Sequence, residues 1–282
     1  MEQANQEQEV RIYYDRNTRK FFRLLSKSTP KTIHQPLFAT DKMSLAEALH
    51  TQHKLILEIL LSNTTYRRVL DLGCGVGESL LYLAKHTPDS YSFQGITLSP
   101  DQARIATKSI DENHLAHRIT VIEASYQSLP TKIRMIDLAY AIESYIHSTH
   151  VPGLLAQTAA ALNPHARFIL IDDFLMKKPV SGREMKILKD FRKGWLANAQ
   201  FTVDEISSLA KEHGFVLESY SDLSPMLRLH RPRDWFIALL APLAHALLPY
   251  SQYARFLVGG NARQAAYRNK LLQYAMLVFV RQ

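Results

Sequence analysis

Cysteine is almost absent: Cys74 is the only one among 282 residues. That excludes a disulfide scaffold and a Cys-rich metal site, and it fits a reducing compartment. An apolar leader is lacking as well, because the opening residues MEQANQEQEV carry no hydrophobic stretch. The expected location is the cytoplasm. No run reaches the roughly 20 apolar residues that a membrane-spanning helix needs. The longest, Trp235 to Tyr250, is interrupted by Pro242 and His245. It reads as a buried helix pair, or as a surface for a greasy ligand or a peripheral membrane contact. Acids are the scarcer charge, 26 Asp and Glu against 34 Lys and Arg, giving a net +8. Such a balance favours an anionic partner without choosing among nucleic acid, acidic lipid and a phosphorylated small molecule. With 46% hydrophobic and 21% charged residues, the composition is that of a globular protein and excludes a disordered or low-complexity chain.

The patterning is that of an α/β protein. Ser44 to Leu61 has helical periodicity, with Leu45, Ala48, Leu49, Leu55, Ile56, Ile59 and Leu60 on one side. Strands are expected at Arg68 to Leu72, Tyr91 to Thr97, Ile119 to Glu123, Met135 to Ile142, Ala166 to Asp172, Phe215 to Ser219 and Tyr274 to Val280. Helices are expected between them, at Glu78 to Lys85, after Ser99, at Val151 to Leu162 and after Thr202. Ser99-Pro100-Asp101-Gln102 and Thr202-Val203-Asp204-Glu205 both have capping-box form. The alternation predicts one doubly wound, mostly parallel sheet of seven strands in a single domain. Segments 1–40, 176–200 and 221–273 fall outside the rhythm. They are expected to cover the crevice at the carboxyl ends of the strands, the first as a lid and the others as a substrate cap.

Glycine is scarce, 10 residues in all, so three in five positions stand out. Asp71-Leu72-Gly73-Cys74-Gly75-Val76-Gly77 lies between the first strand and its helix. Bare backbone there lets a ligand approach the positive helix N-terminus. A nicotinamide-binding fold would want an acid near the end of the second strand. That place reads Gly95-Ile96-Thr97-Leu98-Ser99 and has none.

VLDLGCGVG in this setting resembles the first motif of the class I S-adenosylmethionine-dependent methyltransferases. GITLSPDQ, Gly95 to Gln102, is similar to the tocopherol methyltransferase and cyclopropane-fatty-acid synthase branch. The resemblance covers residues 66–175 and implies a Rossmann-like core that binds S-adenosyl-L-methionine. Gly73, Cys74, Gly75 and Gly77 would admit the cofactor, and Asp71 and Thr97 would orient it. Thr97, Leu98 and Gln102 would hold its ribose and methionine ends, although Gln102 is equally explained as a helix cap. Ser125 stands where relatives place an adenine-binding Asp, and Tyr126 would flank the adenine. Tyr14, beside Tyr13, is expected to offer its ring to the sulfonium.

Ala141 to His147, AIESYIH, resembles the Ile-Glu-Ala-x-x-His segment of sterol C-methyltransferases. Glu143 and His147 would share a face if a helix began here. Methyl transfer to an alkene leaves a carbocation, which a carboxylate stabilises and a base quenches by taking a proton. Tyr13, Tyr145, Arg192, Arg228 and Arg231 are the expected acceptor-binding residues, the arginines suiting a diphosphate. His114, His117, His147 and His150 lack a metal-ligand spacing, and no metal is expected. The leading expectation is therefore C-methylation of an apolar, isoprenoid-like small molecule, with or without a diphosphate. Its alternatives are O- or N-methylation with His147 as base, and a cofactor-binding scaffold or ring-closing catalyst. No RNA-binding motif is visible, so no nucleic-acid partner is expected; a homo-oligomer is compatible with the sequence.

Overall fold

The structure, a computed structural model, describes residues 2–23, 30–229 and 252–282. Its centre is β1 (Arg68–Leu72), in which Val69, Leu70 and Leu72 are fully buried. A strand apolar on successive positions must be covered on both faces, as in parallel α/β sheets. Six further strands join it: β2 (Ser92–Thr97), β3 (Ile119–Glu123), β4 (Ile136–Ile142), β5 (Leu162–Leu175), β6 (Phe215–Asp222) and β7 (Leu272–Arg281). Their order is β3-β2-β1-β4-β5-β7-β6. The first five pair in parallel, and β7 runs antiparallel to both β5 and β6. Strand order reverses between β1 and β4, so the crevice outside their carboxyl ends is where such a sheet takes its ligand.

Alternate side chains of each strand feed two cores. Val69, Leu138, Tyr140 and Ile169 pack into one face, and Leu70, Ala139, Phe168 and Leu170 into the other. Helices α4 (Glu78–Lys85), α5 (Pro100–Glu112), α6 (Val151–Ala161) and α8 (Val203–Glu212) occupy the expected places, after α1 (Glu2–Arg23), α2 (Leu45–Leu49) and α3 (Thr51–Ser62). The Thr202–Glu205 capping box forms in full. No described helix is long and apolar enough to cross a membrane. The apolar run Trp235–Tyr250 and the arginines Arg231 and Arg233 lie outside the described residues.

Two local expectations need correction. The single helix over Ser44–Leu61 is two, because Leu37 N–H takes the Ala48 carbonyl (2.9 Å) that a continuous helix would use internally. Thr51 Oγ1 then donates to Leu37 O (2.8 Å), so the segment before α2 is stitched across the break. The strand expected over Ala166–Asp172 runs from Leu162 to Leu175, since Leu162 already pairs with Ile136. The 176–200 segment, expected in the substrate cap, holds α7 (Gly182–Trp195), opened by a Ser181–Glu184 capping box.

Helix α7 packs on α9 (Gln252–Arg268) through glycines. A Cβ at Gly194 would strike the backbone of Gly259, whereas one at Gly182 would meet nothing within 4 Å. Neither backbone can yield cheaply, and overpacking of this kind costs about 1–3 kcal/mol. Gly194→Ala should lower unfolding stability by that amount in urea titrations. Gly182→Ala should leave it unchanged or slightly higher, because alanine is the better helix former.

Candidate active site

The carboxyl ends of β1, β2, β4 and β5 surround a cavity of about 420 Å³. Two glycines after β1 make different contributions. A side chain at Gly73 (φ 99°) would collide with that of Ser144, so this position lets the β1 and β4 loops pack together. At Gly75 (φ 54°) a Cβ would meet nothing within 4 Å. Its bare backbone borders the open cavity, as required of a cradle for a ligand. Gly77 lies outside the lining and caps the N-terminus of α4.

Asp71, the last residue but one of β1, is almost fully buried and accepts a hydrogen bond from Ser79 Oγ at 2.5 Å. Ser79 Oγ lies 3.0 Å from the Tyr140 hydroxyl. Burial outweighs these contacts and pushes the Asp71 carboxyl up to about 7. At the end of β2, Thr97 Oγ1 donates to Gln102 Oε1 (2.9 Å), and Gln102 Nε2 donates to Thr18 Oγ1 of α1 (3.1 Å). The Ser99–Gln102 capping box is thus only half made: Ser99 Oγ accepts from Gln102 N (3.1 Å), while the Gln102 side chain turns to the cavity. Leu98, Cys74 and Tyr126 also line the cavity, and the Tyr126 hydroxyl donates to Ser144 O (3.0 Å). Ser125 does not border it. Its hydroxyl donates to Glu7 of α1 at 2.6 Å and accepts from Gln127 N at 3.0 Å.

The acceptor side is built by β4, β5 and the N-terminal segment. Glu143 adopts a left-handed conformation (φ 46°), which places it outside any helix. Residues Tyr145–His147 form one 3₁₀ turn. Glu143 and His147 therefore reach the same cavity through a loop, not along a helix face. The tight turn also sends Tyr145 into the core, stacked on Phe174 at 5.5 Å, which corrects its assignment to the acceptor. Glu143 Oε1 accepts from Gln35 N (2.7 Å), and Oε2 lies 3.7 Å from Arg263.

His147 is held from both sides. Its Nδ1 is 3.2 Å from the Leu196 carbonyl and its Nε2 is 2.7 Å from the Tyr14 hydroxyl. A carbonyl can only accept, so Nδ1 carries the proton, Nε2 is the free base, and Tyr14 donates to it. Burial lowers the His147 pKa to about 4, which keeps the ring neutral. Tyr13 packs edge-on to Tyr14 at 5.4 Å, and both line the cavity.

Sequence reasoning missed the other half of this wall. Asp172 and Asp173 at the end of β5 are buried, with pKa values raised by burial. Asp173 faces Arg263 Nε at 2.6 Å and accepts from Tyr267. Two acids closing an otherwise apolar strand were a legible signal; Arg263, on α9, left none. His34 and His53 also line the cavity, joined at 3.2 Å through their Nε2 atoms. His53 Nδ1 meets His50 Nδ1 at 3.0 Å. Because His53 offers opposite nitrogens, the three rings share no point for one metal. Among the described residues no group of His, Cys, Asp or Glu could hold a metal ion.

Arg192 and Arg228 lie elsewhere. Arg192 lines a separate groove with Lys189, Lys193 and Arg255. Arg228 donates to Asp41 O (2.8 Å) and covers the Phe38 ring at 3.7 Å, so it fastens a loop. The cavity itself is bordered by Asp71, Glu78, Glu143, Asp172 and Asp173, with Lys31 as the lysine among its lining residues.

Residues 69–165 match the family model described as a methyltransferase domain. The O-methyltransferase rstn1 of Aspergillus nomiae is 28% identical over 163 residues, covering 58% of this chain and 70% of that protein. Matches to three further relatives cover 66%, 57% and 48% of their lengths. Among solved structures, the [4+2]-cyclase SpnF superposes with a TM-score of 0.76 at 22% identity, over 98% of this chain and 96% of that one. A geranyl diphosphate methyltransferase in complex with GPP and sinefungin gives 0.72 at 15% identity, over 99% and 100%.

The buried Asp71 makes stability depend on pH. In the folded chain it keeps its proton up to about pH 7, whereas unfolded it loses that proton near ~4. The folded state binds more protons across that window, so this residue's contribution to stability falls as pH rises through it. Asp71→Asn keeps a partner for Ser79 and should remove the slope. Urea unfolding should show the variant gaining on the wild type between pH 5 and pH 8.

Proposed function

Because the chain belongs to the class I S-adenosylmethionine-dependent methyltransferases, we propose that it methylates an oxygen of an uncharged small molecule, with His147 as general base. The cofactor, when bound, supplies a methyl group made electrophilic by the sulfonium. The open face above Gly75 and the hydrogen-bonding set Asp71, Thr97 and Gln102 fit it. The neutral Nε2 of His147, already in contact with a hydroxyl, carries the proposal. A neutral imidazole nitrogen placed to accept from an O–H can take the proton of a hydroxyl nucleophile as that oxygen is methylated. Tyr14 marks the place, and its own phenol keeps its proton because burial raises its pKa.

The lining supports an uncharged acceptor. Five carboxyl groups border the cavity, and the arginines expected to clamp a diphosphate lie outside it or beyond the described residues. An anion entering there would lose hydration and meet Lys31 as the lysine against five carboxyl groups. The N-terminal 1–40 segment acts as the lid in this reading, since Tyr14 meets His147 and Gln35 meets Glu143. Trp195, from the 176–200 segment, completes the wall. Several curated relatives are O-methyltransferases, in line with this choice.

Glu143 supports a second reading, C-methylation through a carbocation, because its carboxylate also faces the cavity. Turnover of methyl-labelled cofactor against paired phenols, alcohols and prenyl diphosphates, with NMR of the products, separates the two. An O–CH₃ product is expected. His147→Asn should lower kcat by about 10²–10⁴, the usual loss when general-base help is removed, while Glu143→Gln falls less. A C–CH₃ product, or a reversed order of the two variants, would overturn the proposal. Ring closure without methyl transfer would do the same. With His147 titrating at about 4, the wild-type rate should show no acid limb between pH 6 and pH 8.

A further inference from the structure

Residues 176–193 hold seven Lys and Arg against two acids. Both acids are already taken: Glu184 accepts from Lys177 Nζ at 2.8 Å, and Asp190 accepts from Lys186 Nζ at 2.8 Å. Lys178 pairs with Glu205 at 2.7 Å. Arg183, Lys189, Arg192 and Lys193 are exposed and form no ion pair among the described residues. Leu188 and Phe191 turn one side of α7 into the core. Met185, Lys189, Arg192 and Lys193 follow one another along another side, at helical spacing. All four line the groove that Leu175, Pro179 and Arg255 also border.

The start of α7 adds apolar surface to this charge. Its capping box fixes the turn: Ser181 Oγ accepts from Glu184 N at 3.2 Å, and Val180 N donates to Glu184 Oε2 at 2.7 Å. The residue before such a cap and the fourth residue of the helix ordinarily pack together as a hydrophobic staple. Here those two are Val180 and Met185, and they stay 83% and 55% exposed. Val180 is the most exposed large apolar side chain among the described residues. Aliphatic side chains held out by a fixed turn, with unpaired cations on the helix behind them, suit a lipid interface. The apolar groups enter the acyl boundary while the cations meet anionic headgroups. A nucleic acid would answer the cations alone and leave Val180 in water. A second copy of the chain would bring like charge to like.

We propose that the 178–193 surface seats the chain on an anionic lipid bilayer, with Val180 and Met185 in the interface and Arg183, Lys189, Arg192 and Lys193 on the headgroup phosphates. This binding does not depend on which atom the enzyme methylates. Helix α7 ends in Trp195, which lines the cavity. The seat therefore holds the active site one helix length from lipid, where uncharged apolar molecules concentrate.

The test sediments the full chain with vesicles of phosphatidylcholine alone and of phosphatidylcholine mixed with phosphatidylglycerol. The acidic vesicles should bind it at least about tenfold more tightly, and added salt should weaken that binding. Replacing two cations together, Lys189→Gln with Lys193→Gln, should weaken it about 25-fold, at about fivefold for each charge lost. Val180→Ser should weaken it about tenfold and leave the salt dependence unchanged, because it removes apolar contact alone. All three side chains are exposed, so thermal unfolding and S-adenosylhomocysteine affinity should match the wild type in both variants. Equal binding to the two vesicles, or binding to neither, would overturn the proposal. So would acidic-vesicle binding that survives the lysine pair or Val180→Ser, since the contact would then lie elsewhere. Single-stranded RNA is the last arm. Binding to it as tight as to acidic vesicles, and indifferent to Val180→Ser, would make the patch a general polyanion site and overturn the lipid assignment. None of these outcomes touches the O-methylation reading, which the product decides.

Discussion

Everything in this active site follows from the gap that opens where β1 and β4 lie side by side and the chain on either side departs in opposite directions. Parallel strands deliver their carboxyl ends to one edge, so Asp71, Thr97, Glu143 and Asp172–Asp173 arrive together although they are about 100 residues apart. The sheet needs only apolar strands covered on both faces to produce that convergence. Polar chemistry then sits at the ends of the most rigid elements, where buried side chains cannot drift.

The N-terminal segment closes this edge by satisfying backbone groups as well as by covering space. Leu37 breaks the helix after α2 by taking a carbonyl, and Gln35 offers its N–H to the carboxylate of Glu143. Gln52 Nε2 donates to Gln35 O at 2.5 Å, and His53 meets His34. Thr32 Oγ1 finds no partner among the described residues, but the backbone of Gln35 and the ring of His34 thus find theirs on α3 and in the turn after β4. Helix α1 does the same through Tyr14, Thr18 and Glu7. The cavity is therefore shaped by parts of the chain that carry no recognisable motif.

This division explains what could be read in advance. The strand–glycine loop–helix unit is local, and its residues announce themselves by type and spacing; so do the Thr97–Gln102 pair and the alternation of strands with helices. Glu143 and His147 were legible because they close a strand at the crevice, although the left-handed turn that unites them was not. Tyr145 misled because a 3₁₀ turn and a helix send the same residue to different sides. Arg192 and Arg228 misled because a basic residue in sequence does not say which way it faces. Arg263 was invisible for a deeper reason: its ion pairs and ring contact arise from tertiary neighbours in the turn after β4, on β5 and on α7, none of which is near it in the chain.

The separation of charge between outside and inside has a kinetic consequence. The chain carries a net +8, yet carboxyl groups border the cavity. A cofactor whose sulfonium and ammonium outnumber its one carboxylate is repelled at long range and attracted only at the mouth. Salt at 0.1 M screens exposed charges beyond about 10 Å and buried ones far less. Modest ionic strength then speeds arrival while barely loosening what has arrived. The enzyme's encounter with its cofactor and its hold on it are thus governed by opposite fields.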